Sequence, residues 1–61
     1  MITVLVVDDH ELVRTGICRM LEDQTDIQVI GQAESGEEAI TIVRQQHPNV
    51  VLLDVNMPGI G

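Results

Sequence analysis

The sequence contains no phenylalanine, tyrosine, tryptophan or lysine among its 61 residues. Without aromatic rings, a hydrophobic core must be built from aliphatic side chains, which contribute less buried area each. Three arginines stand against ten acidic residues, so the net charge is -7. We do not expect a segment this acidic to bind nucleic acid directly, because contacts to phosphates require a basic surface.

Cysteine and long apolar runs are also scarce. The one cysteine, Cys18, has no partner for an internal disulfide, which indicates a reducing compartment. The longest uninterrupted apolar runs, 4–7 and 50–53, are far too short to span a bilayer. Met1 is followed by neither a basic segment nor a cleavage site, so we predict no signal peptide and no membrane association.

The length of the chain allows one domain at most. At this size the free energy gained by apolar burial is nearly cancelled by the conformational entropy lost on ordering the chain. The last residues, 57–61, form a turn-like segment rich in glycine and proline. We therefore expect this to be the front part of a longer protein.

Apolar periodicity predicts five elements in the order β-α-β-α-β. The predicted strands cover 2–7, 27–33 and 50–54, and the predicted helices cover about 10–22 and about 36–46. Ser35 and Glu38 form a capping box at the start of the second helix, and Pro48 ends that helix. Two helical crossovers between strands predict an α/β fold with a parallel sheet.

The pattern within each element predicts its surroundings. Strand 2–7 is continuously apolar, as in a central strand, whereas strand 27–33 partly alternates and belongs nearer an edge. On the two helices, we predict that the inward-facing residues are Leu12, Val13, Gly16, Ile17, Met20 and Leu21, then Ala39, Ile40 and Val43. Gly16 would allow close approach of helix to sheet, and Arg14, Cys18 and Glu22 would face water.

Acidic residues follow two of the apolar strands. Asp8 and Asp9 come directly after the first strand, and Asp54 closes the third. If the first strand lies between the other two, these acids meet at one corner, where open α/β sheets bind ligands. Clustered carboxylates need a counter-charge, and Mg²⁺ is the simplest one. A carboxylate beside Mg²⁺ can accept a phosphoryl group.

Other roles for the same residues remain open at this point. Asp9 could be the N-cap of the first helix, and Asp54 a solvated turn residue. Glu34, Glu37 and Glu38 fit a solvated helix start. His10 fits a packed residue, or one that contacts a ligand-binding acid, better than it fits a ligand. Cys18 would be a surface thiol, with no basic neighbour to depress its pKa.

Together, the acid pair Asp8-Asp9, the Val-Val-Leu-Leu strand ending at Asp54, and the tetrapeptide 56–59 (Asn-Met-Pro-Gly) resemble the receiver domain of two-component response regulators. The resemblance covers the whole chain in order and spacing. Residues 8–17 are further similar to the NarL/FixJ branch, whose members carry a LuxR-type helix-turn-helix output domain, and within it to the GacA/UvrY type of global regulator.

The resemblance implies a role for each matching residue. Asp54 would be the phosphoacceptor. Asp9, Asp54 and the backbone carbonyl of Asn56 would ligate Mg²⁺, and Asp8 would act through a metal-bound water. The implied fold is flavodoxin-like (CheY-like), three-layered, with strand order 2-1-3-4-5. The implied protein is a cytoplasmic signalling phosphoacceptor and not an enzyme.

The same resemblance implies partners and missing parts. The phosphoryl donor would be a sensor histidine kinase or its phosphotransfer domain, and DNA would be bound only by a C-terminal helix-turn-helix domain. The chain 1–61 would be about the first half of a receiver, because the Ser or Thr, the Lys and the aromatic switch residue of such domains would lie beyond Gly61. The open edge of the third strand would favour self-association, including a homodimer.

Three other classes compete with this interpretation. A flavodoxin-like cofactor binder would need a phosphate-binding loop where Asp8-Asp9 stands, and a cobalamin binder would need glycine in place of Val13. A phosphatase of the haloacid dehalogenase type would need aspartate in place of Asn56. A pure interaction module would leave the acidic corner unused.

Overall fold

The computed structural model describes residues 1–53. Its elements are β1 (Ile2–Val7), α1 (Glu11–Glu22), β2 (Ile27–Ala33), α2 (Gly36–Gln46) and β3 (Val50–Leu53). The predicted boundaries agree with these to within one residue, and the last residue predicted for the third strand, Asp54, lies outside the described part. Neither of the two helices in residues 1–53 is long and apolar enough to cross a membrane.

The three strands form one parallel sheet with the order β2-β1-β3. The central position predicted for β1 and the edge position predicted for β2 are therefore confirmed. On the β3 side the register pairs Val4 with Val50 and Val7 with Leu53. Because all strands run in the same direction, β1 and β3 end at the same edge of the sheet.

A bulge in β2 reverses which face of the sheet its side chains occupy. The register pairs Val4 with Val29 but Leu5 with Gly31, so Ile30 is an extra residue on β2. Before the bulge, Val29 packs in the cluster beneath α1; after it, Ala33 packs in the cluster beneath α2. Two residues that are an even number apart normally share a face, and the extra residue breaks that rule.

The core is split into two layers by β1. Leu5 and Val7 pack against Ala33, Ala39 and Ile42 on the α2 side. On the α1 side, the second cluster is formed by Val4, Val6, Cys18, Ile17, Leu21, Ile27 and Val29. Since β1 is covered on both faces, its continuous apolar sequence is explained.

The buried face of α1 differs from the predicted one. Cys18 is 4% exposed and packs in the core, and Arg14 is half-buried, although both were predicted to face water. Leu12 is 86% exposed, and Val13 and Met20 are exposed as well. The prediction was wrong because α1 lies over β1 and β2, which meet the flank of the apolar stripe that carries Cys18.

Gly16 does not serve close approach of α1 to the sheet. A Cβ built at this position meets no atom within 4 Å, so the residue faces open space. The glycine that does permit close packing is Gly31 on β2, where a Cβ would lie 3.3 Å from Ile42 Cγ2 and 3.4 Å from Leu5 Cδ1. The prediction for Gly16 was therefore wrong, and the close approach of a helix to the sheet occurs instead at Gly31, against α2.

The same kind of difference occurs on α2. Ala39 is buried as predicted, but Ile40 and Val43 are exposed, and Ile42 is the residue that packs on the core. Ile40 and Val43 line an open groove with Val51 and other residues of α2 and β3. Both helices therefore have an apolar flank on the β3 side that the described chain leaves uncovered.

The ends of α2 follow from local sequence. The hydroxyl of Ser35 accepts a hydrogen bond from the N–H of Glu38 at 3.2 Å, which confirms the predicted N-cap. The acidic residues Glu34, Glu37 and Glu38 are exposed, as expected for a solvated helix start. At the other end, His47 adopts a left-handed conformation with φ of 52° and donates its N–H to the carbonyl of Val43.

Candidate functional site

The candidate site begins where β1 ends. Asp8 is 5% exposed, and its N–H donates to the carbonyl of Ala33, which extends the pairing with β2 by one bond. Its carboxylate oxygen Oδ1 accepts the N–H of His10 at 2.8 Å. This bond closes a tight Asp turn that leads directly into α1.

Asp9 lies in the middle of this turn and is not the N-cap of α1. The N-cap position belongs to His10, whose side chain makes no capping bond. Nδ1 of His10 lies 2.8 Å from Oδ1 of Asp9 and 3.3 Å from Oδ1 of Asp8, so the imidazole contacts both carboxylates. His10 is 68% exposed and therefore contacts the acids without being packed.

The oxygen-rich group at this turn fits a divalent cation. Asp8, Asp9 and His10 each offer a ligand atom, and these atoms lie within 4.8 Å of one another. Two carboxylates are the hard donors that Mg²⁺ prefers, and the burial of Asp8 makes an uncompensated negative charge costly there. The chemistry of the donor set thus agrees with the cation expected from the sequence.

Two of the predicted site residues, Asp54 and Asn56, lie outside the described residues. The described part fixes the position of their neighbour: Leu53, the last residue of β3, pairs with Val7, the last residue of β1. In the sequence, Asp8 follows Val7 and Asp54 follows Leu53. The two acid-bearing positions thus follow paired residues on adjacent parallel strands.

Sequence reasoning missed two residues near this turn: Arg14, which contacts it, and Gln32, which contacts Arg14. Arg14 Nη1 donates to the carbonyl of Asp8 at 2.7 Å, and Arg14 Nε donates to Oε1 of Gln32 at 3.1 Å. The available signal was the spacing of Arg14 with Ile17, Cys18 and Leu21, which places an arginine at the end of a helical stripe that includes the cysteine. Nothing in the sequence identified Gln32.

Cys18 lies one helical turn beyond Arg14 and carries no evident chemistry. Burial is the main cause that raises the pKa of its thiol above the ordinary value of 9.0; the charge of Glu22 raises it further, and that of Arg14 opposes the shift. A thiol held neutral is a poor nucleophile and a poor metal ligand. Cys18 acts as a small apolar residue of the core, not as the surface thiol that the sequence predicted.

The sequence is similar to a known protein family and to named members of it. Residues 4–61 match the family model described as the response regulator receiver domain. The chain is 67% identical over its whole length to the response regulator GacA of Pseudomonas protegens and 57% identical to the response regulator UvrY of Escherichia coli, covering 29% and 28% of those proteins. It thus spans less than a third of the length of either relative.

A solved structure shows the same fold. The receiver domain of the putative response regulator NarL from Mycobacterium tuberculosis superimposes with a TM-score of 0.89 at 40% sequence identity, over 95% of this chain and 47% of that one. The predicted resemblance, including its GacA/UvrY type, is therefore confirmed. The family model covers nearly all of the sequence, and the chain belongs to the response regulator receiver domain family.

Proposed function

We propose that this chain is the phosphoacceptor part of a two-component transcriptional response regulator, in which Asp54 receives a phosphoryl group from a histidine kinase. One observation carries the proposal. Asp8 and Asp9 cluster at the carboxyl end of the central strand β1. Leu53, at the end of β3, pairs with Val7 at the end of β1, and Asp54 follows Leu53 in the sequence. This is the corner where open parallel sheets bind ligands.

Each acidic residue has a separate role in the proposal. Asp9, Asp54 and the carbonyl of Asn56 hold Mg²⁺, and the more buried Asp8 contributes through a water. When bound, Mg²⁺ neutralises the charge of the phosphoryl oxygens. Nδ1 of His10 lies 2.8 Å from Oδ1 of Asp9 and 3.3 Å from Oδ1 of Asp8, so the imidazole lies directly beside the proposed ligands.

The reaction is a direct transfer between side chains. A carboxylate oxygen of Asp54 attacks phosphorus and forms an acyl phosphate. The P–N bond of the donor phosphohistidine breaks, and its electron pair returns to the imidazole nitrogen. Transfer needs mainly alignment and charge neutralisation, so Asp54 acts as an acceptor in a signalling relay and not as the centre of a turnover enzyme.

The proposal also assigns a phosphoryl donor and a DNA-binding partner domain. The donor is a sensor histidine kinase or its phosphotransfer domain. With a net charge of -7, the chain is a poor binder of DNA itself. DNA contact would belong to a helix-turn-helix domain that follows the receiver, with 1–61 forming about the first half of that receiver.

A phosphorylation assay tests the proposal. The full-length gene product is incubated with Mg²⁺ and acetyl phosphate, and its intact mass is recorded. We expect a mass gain of one phosphoryl group that requires Mg²⁺ and disappears in Asp54→Asn. The matched control is Asp26→Asn, which removes an exposed carboxylate from the turn before β2 and should leave the mass gain intact.

The main alternative is an interaction module that uses the same fold without phosphorylation. A folded protein that gains no mass with Mg²⁺ and acetyl phosphate would favour that alternative over the proposal. A mass gain that persists in Asp54→Asn would place the acceptor elsewhere. Flavin or cobalamin absorbance in the purified protein would indicate a cofactor binder.

A further inference from the structure

Arg14 connects three elements next to the acidic turn. It lies in the first half of α1, where its N–H donates to the carbonyl of His10 at 2.9 Å. Its Nη1 donates to the carbonyl of Asp8 at the end of β1, and its Nε donates to the side chain of Gln32 on β2. The bond to the Asp8 carbonyl is partly shielded from water, whereas the bond to Gln32 is exposed.

A hydrogen bond to the carbonyl of Asp8 affects the geometry of the acidic turn. The N–H of Asp8 makes the last bond of the strand ladder toward β2, and its carboxylate is engaged by His10. The carbonyl belongs to the rigid peptide unit that joins Asp8 to Asp9. Its orientation therefore sets the direction in which the Asp9 carboxylate leaves the backbone, relative to that of Asp8.

An arginine suits this position better than a lysine does. The guanidinium is planar, so its Nε–H and Nη1–H point in fixed and different directions. One side chain can thus bridge a backbone carbonyl and an amide oxygen 18 residues away in sequence. A lysine would keep the charge but offers a single flexible ammonium, which cannot hold both acceptors in this arrangement.

We propose that Arg14 is a positioning residue that, anchored by Gln32, fixes the Asp8–Asp9 peptide for cation binding. The inference depends on the proposed function, since it assigns a task within the proposed Mg²⁺ site. Groups that orient metal ligands without touching the metal typically change metal affinity by 10- to 100-fold when they are removed. Arg14 acts on the backbone of the ligand pair and makes no contact with the cation itself.

The test measures Mg²⁺ affinity and stability separately in the full-length protein. Calorimetric titration with MgCl₂ compares wild type with Arg14→Lys, Gln32→Ala and the double variant. We expect Arg14→Lys to weaken Mg²⁺ binding about tenfold and Gln32→Ala to weaken it less. The double variant should be no weaker than Arg14→Lys, because both changes break one connection. The matched control is Arg19→Lys, at an exposed arginine of the same helix.

A structural role alone would give a different pattern. In that case Arg14→Lys would lower the unfolding temperature in EDTA and leave the Mg²⁺ affinity unchanged, which would overturn the inference. Hydrogen exchange adds a local readout. We expect faster exchange of the Asp9 and His10 amides in Arg14→Lys without Mg²⁺, and unchanged exchange in the middle of β1. If Arg14→Lys fails to fold, Gln32→Ala decides by the same two criteria.

Failure of the inference can be separated from failure of the proposed function. Asp9→Asn removes a proposed ligand and should abolish Mg²⁺ binding, whereas Asp26→Asn should not affect it. If Asp9→Asn binds Mg²⁺ as well as wild type, the metal site itself is wrong. If Asp9→Asn loses binding and Arg14→Lys retains it, only the role of Arg14 is wrong.

Discussion

Thr3 and Asn49 hydrogen-bond to each other through both backbone and side chain. Oδ1 of Asn49 accepts the N–H of Thr3 at 2.9 Å and its hydroxyl at 3.0 Å, and the N–H of Asn49 donates to the carbonyl and the hydroxyl oxygen of Thr3. This pair joins the start of β1 to the residue before β3. It fixes the register that places Leu53 beside Val7 at the opposite end of the sheet.

The first prediction concerns this pair. Asn49→Ala removes the side-chain acceptor and should lower the free energy of unfolding by about 1 kcal/mol, because the bonds are exposed and each is worth little beyond its replacement by water. Urea denaturation of the full-length protein measures the change. Gln46→Ala, at the exposed end of α2, is the control and should change stability by less than about 0.5 kcal/mol. Equal effects of the two variants would contradict the assigned role.

A second prediction contrasts two glycines. Gly16→Ala should stabilise the protein by about 0.5–1 kcal/mol, because the residue lies within a helix and its Cβ would meet nothing. Gly31→Ala should destabilise it by about 1 kcal/mol, because its Cβ would press on Ile42 and Leu5. Thermal unfolding of both variants gives the signs. Opposite signs are the expected result, and a stabilising Gly31→Ala would show that the side chains of Ile42 and Leu5 can move aside at no cost.

A third prediction concerns the left-handed residue that ends α2. The backbone of His47 has a φ of 52°, a conformation that is strongly disfavoured for a β-branched side chain. His47→Val should therefore destabilise the protein by about 1–2 kcal/mol. His47→Asn should be nearly neutral, since asparagine tolerates left-handed geometry. Denaturant midpoints of the two variants, compared with wild type, check the difference. A neutral His47→Val would mean that the helix ends in another way.

A fourth prediction follows from the raised pKa of Cys18. The folded protein favours the neutral thiol, so this contribution to stability is fully present below the unfolded pKa of about 9 and is lost as the pH rises through the higher folded pKa. We expect unfolding midpoints to fall across this alkaline range, and to fall less in Cys18→Ala. Alkylation of the thiol by iodoacetamide should also be much slower in the native protein than in urea. Identical pH profiles for wild type and Cys18→Ala would contradict the shift.

The elements and strand order were predictable because they depend on patterns within short segments. A continuous apolar run such as 2–7 identifies a central strand, and Ser35 with Glu38 marks a helix start. The common edge at which β1 and β3 end was predictable because both strands run parallel. The meeting of Asp54 with Asp8 and Asp9 stays a prediction, since Asp54 lies outside the described residues. These patterns record the preference of each segment for helix or strand, which depends on the segment's own sequence.

The helix faces were less predictable because they depend on which neighbours are present. Both apolar flanks of α1, with Val13 on one side and Cys18 on the other, are compatible with a helical period. Only the position of α1 over β1 and β2 selects the side that carries Cys18. The same selection brings Arg14 to the acidic turn, so the sequence could identify the acids but not the residue that contacts their backbone.

The extra residue in β2 also constrains how this chain can vary in length. Because Val29 already pairs with Val4 and Gly31 with Leu5, deleting Ile30 would leave Gln32 and Ala33 in the layers they occupy now. Deleting a residue after the bulge, such as Gln32, would instead move Ala33 into register with Val6 and carry it away from Val7 to the α1 side. A single-codon deletion should therefore be tolerated far better at Ile30 than at Gln32.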